Sequence, residues 1–144
     1  MRIYLAGPMT GYKDLNHPMF DRIAAALRAE GYEVVSPAEM DREIGIDASA
    51  ANPYANLKGD PTEIMRMDLR HVLDCDGIAM LPGWIDSSGA RLERVVAEST
   101  GRKVFVVTLN TVSHVWQDVM RLEPAPPWHH ELIWRPKCPS SSSS

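Results

Sequence analysis

Gly77-Ile78-Ala79-Met80-Leu81-Pro82-Gly83-Trp84-Ile85-Asp86-Ser87-Ser88-Gly89-Ala90-Arg91-Leu92-Glu93 reads as a strand, a tight turn and the opening of a helix. Its first five residues form a short apolar run of the kind buried on both faces of a parallel sheet. Pro82-Gly83-Trp84 supplies the turn. Ser87 or Ser88 caps the coming helix, Gly89 lets backbone approach a ligand closely, and the unpaired N–H groups of the first turn face whatever sits there. Glu93 is expected within a turn of those groups, its carboxylate held ionised by the helix dipole. An ionised carboxylate is what a nucleophile toward a sugar carbon must be. The stretch Asp86 to Glu93 also fits a plain capping-box or first-turn glutamate, which is common.

Outward from this unit, the same alternation of strand and helix repeats. Arg2 to Ala6 reads as a first strand ended by Gly7-Pro8. Phe20, Ile23, Ala24 and Leu27 fall on one helical stripe, and Gly31 stops that helix. Glu33 to Ser36 reads as a second strand. From Met40 to Asp60 periodicity is weak, and an irregular segment of that length in a small domain is expected to be a lid or binding loop. A helix begins near Pro61-Thr62 with Met65, Leu69 and Val72 toward the core and Asp68 beside them. The helix after Gly77–Leu81 runs from about Gly89 to Thr100, and Lys103 to Thr108 forms a fourth strand. Thr111 to Leu122 is expected to be a last helix with Val112, Val115, Trp116 and Val119 as its apolar face.

Strands alternating with helices predict an α/β fold, a Rossmann-like or flavodoxin-like parallel sheet flanked by helices. One domain is expected over residues 1–122, with a Pro/Ser-rich arm and disordered tail over 123–144. In such sheets ligands bind beyond the carboxyl ends of the strands. The segments Gly7 to Gly11 and Trp84 to Glu93 then converge on one crevice.

A chain of 144 residues with 44% hydrophobic and 24% charged content has the composition of an ordinary globular domain. A formal net charge of −4 offers no basic field for a nucleic-acid polymer and favours a small-molecule partner. Cys75 and Cys138 stand apart without CxxC spacing, so neither a disulfide framework nor a metal knuckle follows, which suits a reducing cytoplasm. His129 and His130 are adjacent and face different ways, so no metal site is expected. The chain enters a strand at once, with no leader or membrane span indicated.

Gly7-Pro8-Met9-Thr10-Gly11 presents backbone N–H groups to a phosphate or sugar, yet it is neither a Walker loop nor a GxGxxG turn. Asp68 is the next carboxylate of interest, against the alternative of a surface Asp paired on its own helix. Asp74 reads as a solvated helix end and Asp76 as turn chemistry.

Taken together, Ile3-Tyr4-Leu5-Ala6-Gly7-Pro8-Met9-Thr10-Gly11, Met67-Asp68-Leu69 to Cys75-Asp76-Gly77-Ile78, Leu81-Pro82-Gly83-Trp84, and Ser87-Ser88-Gly89-Ala90-Arg91-Leu92-Glu93 with Gly101 eight residues on resemble the nucleoside 2-deoxyribosyltransferase-like superfamily. The likeness covers about residues 1 to 108 and is nearest to a branch frequent in phage genomes. The superfamily also holds nucleoside 5′-monophosphate N-glycosidases. The resemblance implies a small flavodoxin-like domain, a homodimer or higher homo-oligomer, and no metal or organic cofactor.

It further implies that Glu93 attacks the anomeric carbon and that Asp68 touches the sugar or assists proton transfer. Asp86 matches the sugar-binding Asp of the transferases, and Ser87 matches the Ser that holds the 5′-phosphate in the monophosphate hydrolases. The turn after the first strand brings Gly7, Met9, Thr10 and Gly11 to the site. The sequence departs from the family in two places. Glu-Leu-Gly after the nucleophile is Glu93-Arg94-Val95, and the hydrolases' Arg-bearing first loop is Gly7-Pro8-Met9-Thr10. A phosphate charge would then fall to Arg91 or Lys13.

The expected activity is cleavage or transfer of the N-glycosidic bond of a nucleoside or nucleoside 5′-monophosphate. Tyr54 and its neighbours are expected to close over the base. The rival readings are a non-catalytic nucleotide or nucleotide-signal binder and hydrolysis of another ribosyl bond, as in NAD.

Overall fold

The computed structural model describes residues 1–55, 57, 60, 62–111 and 118–126. Five strands, β1 (Arg2–Ala6), β2 (Glu33–Val35), β3 (Gly77–Met80), β4 (Lys103–Thr111) and β5 (Asp118–Pro124), build one sheet in the order β2-β1-β3-β4-β5. The first four are parallel and β5 returns antiparallel to β4. Four helices flank it: α1 (His17–Ala29), α2 (Pro37–Glu43), α3 (Thr62–Asp74) and α4 (Ser88–Ser99). This is the expected α/β architecture with a flavodoxin-like strand order, and its crevice opens where the chain reverses direction across the sheet, between the ends of β1 and β3.

The side-chain alternation of β1 decides which layer each residue serves. Ile3 and Leu5 join Phe20, Ile23 and Leu27 of α1 and Ala38 of α2 in one buried cluster. Tyr4 and Ala6 face the other way, with Ile78 and Met80 of β3, Val72 of α3, and Ala90 and Ala97 of α4. Each large apolar side chain so buried contributes roughly 1.5–3 kcal/mol. β1 and β3 approach closely at their carboxyl ends: a Cβ on Gly7 would lie 2.7 Å from Leu81 Cβ. Glycine is therefore required where the first crevice loop begins.

Two expectations are corrected. The segment expected to be a helix from Thr111 to Leu122 begins at the last residue of β4, and its residues 118–122 lie in β5, where Val119 pairs with Asn110 and Leu122 with Val107. Hydrogen bonding to β4 overrides a short apolar pattern that also fits a helical period. The Met40–Asp60 segment is also less irregular than expected, because α2 extends to Glu43. Residues 127–144, which hold Trp128, His129, His130, Trp134 and Cys138, lie outside the described residues, as do Val112, Val115 and Trp116. Among the described residues no helix is long and apolar enough to cross a membrane.

Candidate functional site

The loop after β1, the amino end of α4, α3 and α2 enclose a cavity of about 370 Å³. That volume suits a small molecule. Gly7, Met9, Thr10, Asp68, Asp86, Ser87, Gly89 and Glu93 all line it. Tyr54 lines it too. Gly11 does not. Its φ of 85° serves the turn in which Tyr12 N bonds Met9 O at 3.1 Å, so it shapes the loop without touching the cavity. Neither Arg91 nor Lys13 lines the cavity, nor does any other Lys or Arg among the described residues.

Ser87 is the helix cap: its side chain accepts from Ala90 N at 3.2 Å. The N–H groups of Ser88 and Gly89 take no acceptor among the described residues, so they are the free donors at this end. Asn16 Nδ2 donates to Pro8 O at 2.9 Å and fixes the β1 loop to the start of α1.

Glu93 is placed differently from its expected position. It lies six residues after the cap, and the first turn of α4 holds no acidic residue. The macrodipole acts over the first turn only. Glu93 is instead 6% exposed, beneath the cavity, where burial above all and then the Asp68 charge push its carboxyl well above the usual range. It is therefore not held ionised by the helix, contrary to expectation. Tyr4, fully buried on β1, donates to Glu93 Oε1 at 2.9 Å and opposes that rise.

Asp68 stands with this pair. Burial, then the Asp41 charge, push it to about 7, while Tyr4 acts in the opposite direction. Tyr4 is itself raised, by burial and then by the two carboxylates. Burial raises both acids, and the charge of one disfavours the charge of the other, so the pair favours keeping a proton. Among the described residues neither forms an ion pair with Lys or Arg. Such an arrangement can present one ionised and one protonated carboxyl to the same ligand.

Sequence reasoning missed Tyr4 as a site residue, and it missed Asp41. Asp41 of α2 lines the cavity from the opposite helical layer, and its Oδ2 lies 3.0 Å from His17 Nε2, both side chains being buried. Asp76 serves the sheet: its Oδ2 accepts from Arg2 N at 2.8 Å, joining β3 to β1 at the end away from the crevice. No group of three or more His, Cys, Asp or Glu side chains suited to a metal occurs among the described residues.

A family model described as a domain of unknown function (DUF4406) matches residues 1–106. No curated protein matches the chain. Among solved structures, a 2-deoxyribosyltransferase from Bacillus psychrosaccharolyticus is similar at a TM-score of 0.53 with 22% identity, covering 74% of this chain and 71% of that one. A 2-deoxyribosyltransferase from Leishmania mexicana is similar at 0.52 with 16% identity, covering 76% and 65%. A conserved protein from Enterococcus faecalis V583 is similar at 0.53 with 22% identity, covering 77% and 65%. The fold is thus the one expected from the resemblance, shared with these 2-deoxyribosyltransferases.

Proposed function

The chain belongs to the DUF4406 family, and from that premise we propose that it cleaves or transfers the N-glycosidic bond of a nucleoside or nucleoside 5′-monophosphate, with Glu93 as nucleophile. The observation that carries this reading is the Tyr4–Glu93–Asp68 group under a cavity of small-molecule size. Buried acids without a cation are costly, and such perturbed groups collect at functional sites. The deoxyribosyltransferases of the same fold supply the reaction class.

The reactive form has the proton on Asp68 and the charge on Glu93, which the Tyr4 hydroxyl stabilises through its bond to Oε1. Glu93 attacks one face of an oxocarbenium-like anomeric carbon as Asp68 passes its proton toward the departing base. Water or a second base then releases the sugar from the glycosyl-enzyme ester. Asp86, which lines the cavity, holds a sugar hydroxyl in this reading. The N–H groups of Ser88 and Gly89, with the Ser87 hydroxyl and Thr10, hold O5′ or a 5′-phosphate. Tyr54 covers the base.

The deciding experiment incubates the protein with a panel of nucleosides and 5′-monophosphates, alone and with a second free base, and separates the products by chromatography. Release of base supports a hydrolase and formation of a new nucleoside a transferase. Binding without either product would leave a nucleotide-binding protein in place of an enzyme.

A further inference from the structure

The His17–Asp41 pair is absent from the chemistry just described, yet its Asp41 lines the cavity. His17 opens α1, Asp41 lies in α2, and both belong to the helical layer opposite α3 and α4. The Asp41 side chain keeps only 8% of its surface, and the residue lines the cavity. His17 engages Oδ2, while Oδ1 has no protein partner among the described residues and is not sealed from solvent. A buried carboxylate with one oxygen anchored and the other free is an acceptor awaiting a donor.

The cavity's other walls restrict what that donor is. The free N–H groups at the amino end of α4 suit an anion, and Asp41 repels one. Glu93 and Asp68 mark the reacting carbon under the reading above. The remaining wall carries Asp41 together with Pro37 and Tyr54, whose side chains suit a flat ring. We infer that Asp41, positioned by His17, is the specificity-determining residue for the leaving group and selects nucleobases that present an exocyclic amino group over those that present a carbonyl. This inference rests on the proposed glycosidic chemistry for the words leaving group, though not for the binding of a base.

An amino base donates an N–H to Oδ1. An oxo base sets carbonyl lone pairs against a carboxylate and leaves a buried acceptor unpaired, the situation in which polar sites discriminate most strongly. His17 contributes by engaging Oδ2: burial pushes the Asp41 carboxyl up, and the imidazole bond pulls it back toward the charged form. Asp68 is the acid whose titration Asp41 disturbs, and Arg42 is the further cation acting on Asp41.

The test measures binding of free adenine against hypoxanthine and cytosine against uracil by titration calorimetry at neutral pH. It uses the wild-type protein, and Glu93→Gln so that turnover plays no part. The amino member of each pair should bind at least about tenfold more tightly. Asp41→Asn, whose amide offers either a donor or an acceptor, should bring both ratios within about threefold. His17→Gln, which retains a donor for Oδ2, should keep the preference, and His17→Ala should lose it. A wild-type ratio near one overturns the inference without reference to any variant. So does an Asp41→Asn effect that, in titrations of ribo- and 2′-deoxyribonucleosides in the Glu93→Gln background, appears as an altered sugar preference equal for all bases, since Asp41 would then serve the sugar. Amino selectivity in binding with no base released from any nucleoside or nucleotide overturns the proposed activity and leaves the base site standing. Release of base with no amino selectivity does the reverse.

Discussion

The outer face of α1 and α2 and the floor of the crevice treat carboxylates in opposite ways. On the outer face Arg28 grips Glu39 with both guanidinium nitrogens, at 2.6 and 2.8 Å, and Arg42 Nη2 reaches Asp21 Oδ1 at 2.6 Å. The Arg28 hydrogen bond holds the Glu39 carboxyl below its usual range. In the crevice Glu93 faces a phenol and the charge of Asp68, and no guanidinium among the described residues lines the cavity. Both acids are pushed up. Arginine is plentiful in the chain, so the omission is local, and it makes this part of the molecule less stable when charged than a paired surface would be. Stability given up at one place is what a binding or catalytic site looks like energetically.

The contrast breaks most decisively at Glu93. Glu93→Gln keeps an acceptor for Tyr4 and removes the nucleophile, so base release should fall by several orders of magnitude while nucleoside affinity stays near wild type. Calorimetry beside a chromatographic assay separates the two readouts. A variant that still turns over at a near-normal rate would move the nucleophile elsewhere. Tyr4→Phe should act less severely, lowering kcat by about ten- to a hundredfold with little change in KM. Without the phenol the Glu93 carboxyl rises further, so the ascending limb of the rate–pH profile should move to higher pH. An unmoved profile would make Tyr4 a packing residue.

Asp68 carries the contrast into stability, and its sign is opposite to that of a surface ion pair. Its folded-state carboxyl sits at about 7 against an ordinary 3.8. Its contribution to stability is thus fully present below about pH 4 and is lost as pH rises through 7. Asp68→Asn should therefore be more stable than wild type at pH 8, by about 1–3 kcal/mol or a few degrees in Tm. The gain should shrink toward zero near pH 4, and activity should drop at every pH. A variant that loses Tm at pH 8 and keeps its activity would show that Asp68 is structural.

How much of this was legible before folding depends on the range of the interaction. β1 and β3 announce themselves as short apolar runs, and α4 by its serine cap and apolar stripe. Those signals are local. α2 also had one, since Ser36-Pro37-Ala38-Glu39 sets proline at the first helical position and an acid two residues later. It was hidden because the helix is short and buries an aspartate where an apolar residue is usual. β5 was misread because its pairing with β4 is tertiary. Tyr4 and Glu93 are 89 residues apart, and His17 and Asp41 are 24. Period-two alternation puts Tyr4 on one sheet face, but only the assembled layers show that Glu93 lies across from it. The burial that perturbs Glu93 is likewise a property of the packed layers, which is why the helix dipole was the wrong determinant to invoke.

The crevice's attraction for an anion can be tested at Ser87. With no lysine or arginine among the described lining residues, a 5′-phosphate there rests on the Ser87 hydroxyl and the N–H groups of Ser88 and Gly89. Charge-assisted hydrogen bonds of ~1.5–3 kcal/mol each imply at least a tenfold preference for monophosphates in kcat/KM. Ser87→Ala should erode that preference, leave nucleoside turnover nearly alone, and cost about 1 kcal/mol through the lost cap. Equal kcat/KM for a nucleoside and its monophosphate in the wild type would reduce Ser87 to a cap.

The smallest effect belongs to the outer face, and its pH dependence runs the other way from that of Asp68. Glu39 is depressed, first by its hydrogen bond with Arg28, so its stabilisation is present above the ordinary carboxylate range and disappears as pH falls through its folded value. The Arg28 and Glu39 side chains are 43% and 36% exposed. Solvent screening then limits the pair to roughly 0.2–1 kcal/mol despite its two-pronged geometry. Glu39→Gln should lower Tm by a degree or two at pH 7 in low salt, less in high salt, and progressively less as pH falls below the ordinary carboxylate range. Base release should be unaffected unless α2 shifts, in which case the amino-base preference assigned to Asp41 would change with it. Thermal melts of Glu39→Gln and Asp68→Asn over one pH series should give shifts of opposite sign at neutral pH, with Asp68→Asn gaining stability and Glu39→Gln losing it. Shifts of the same sign would mean that the crevice acids are neutralised by a partner after all, and the case for a site built from unpaired carboxylates would fail with them.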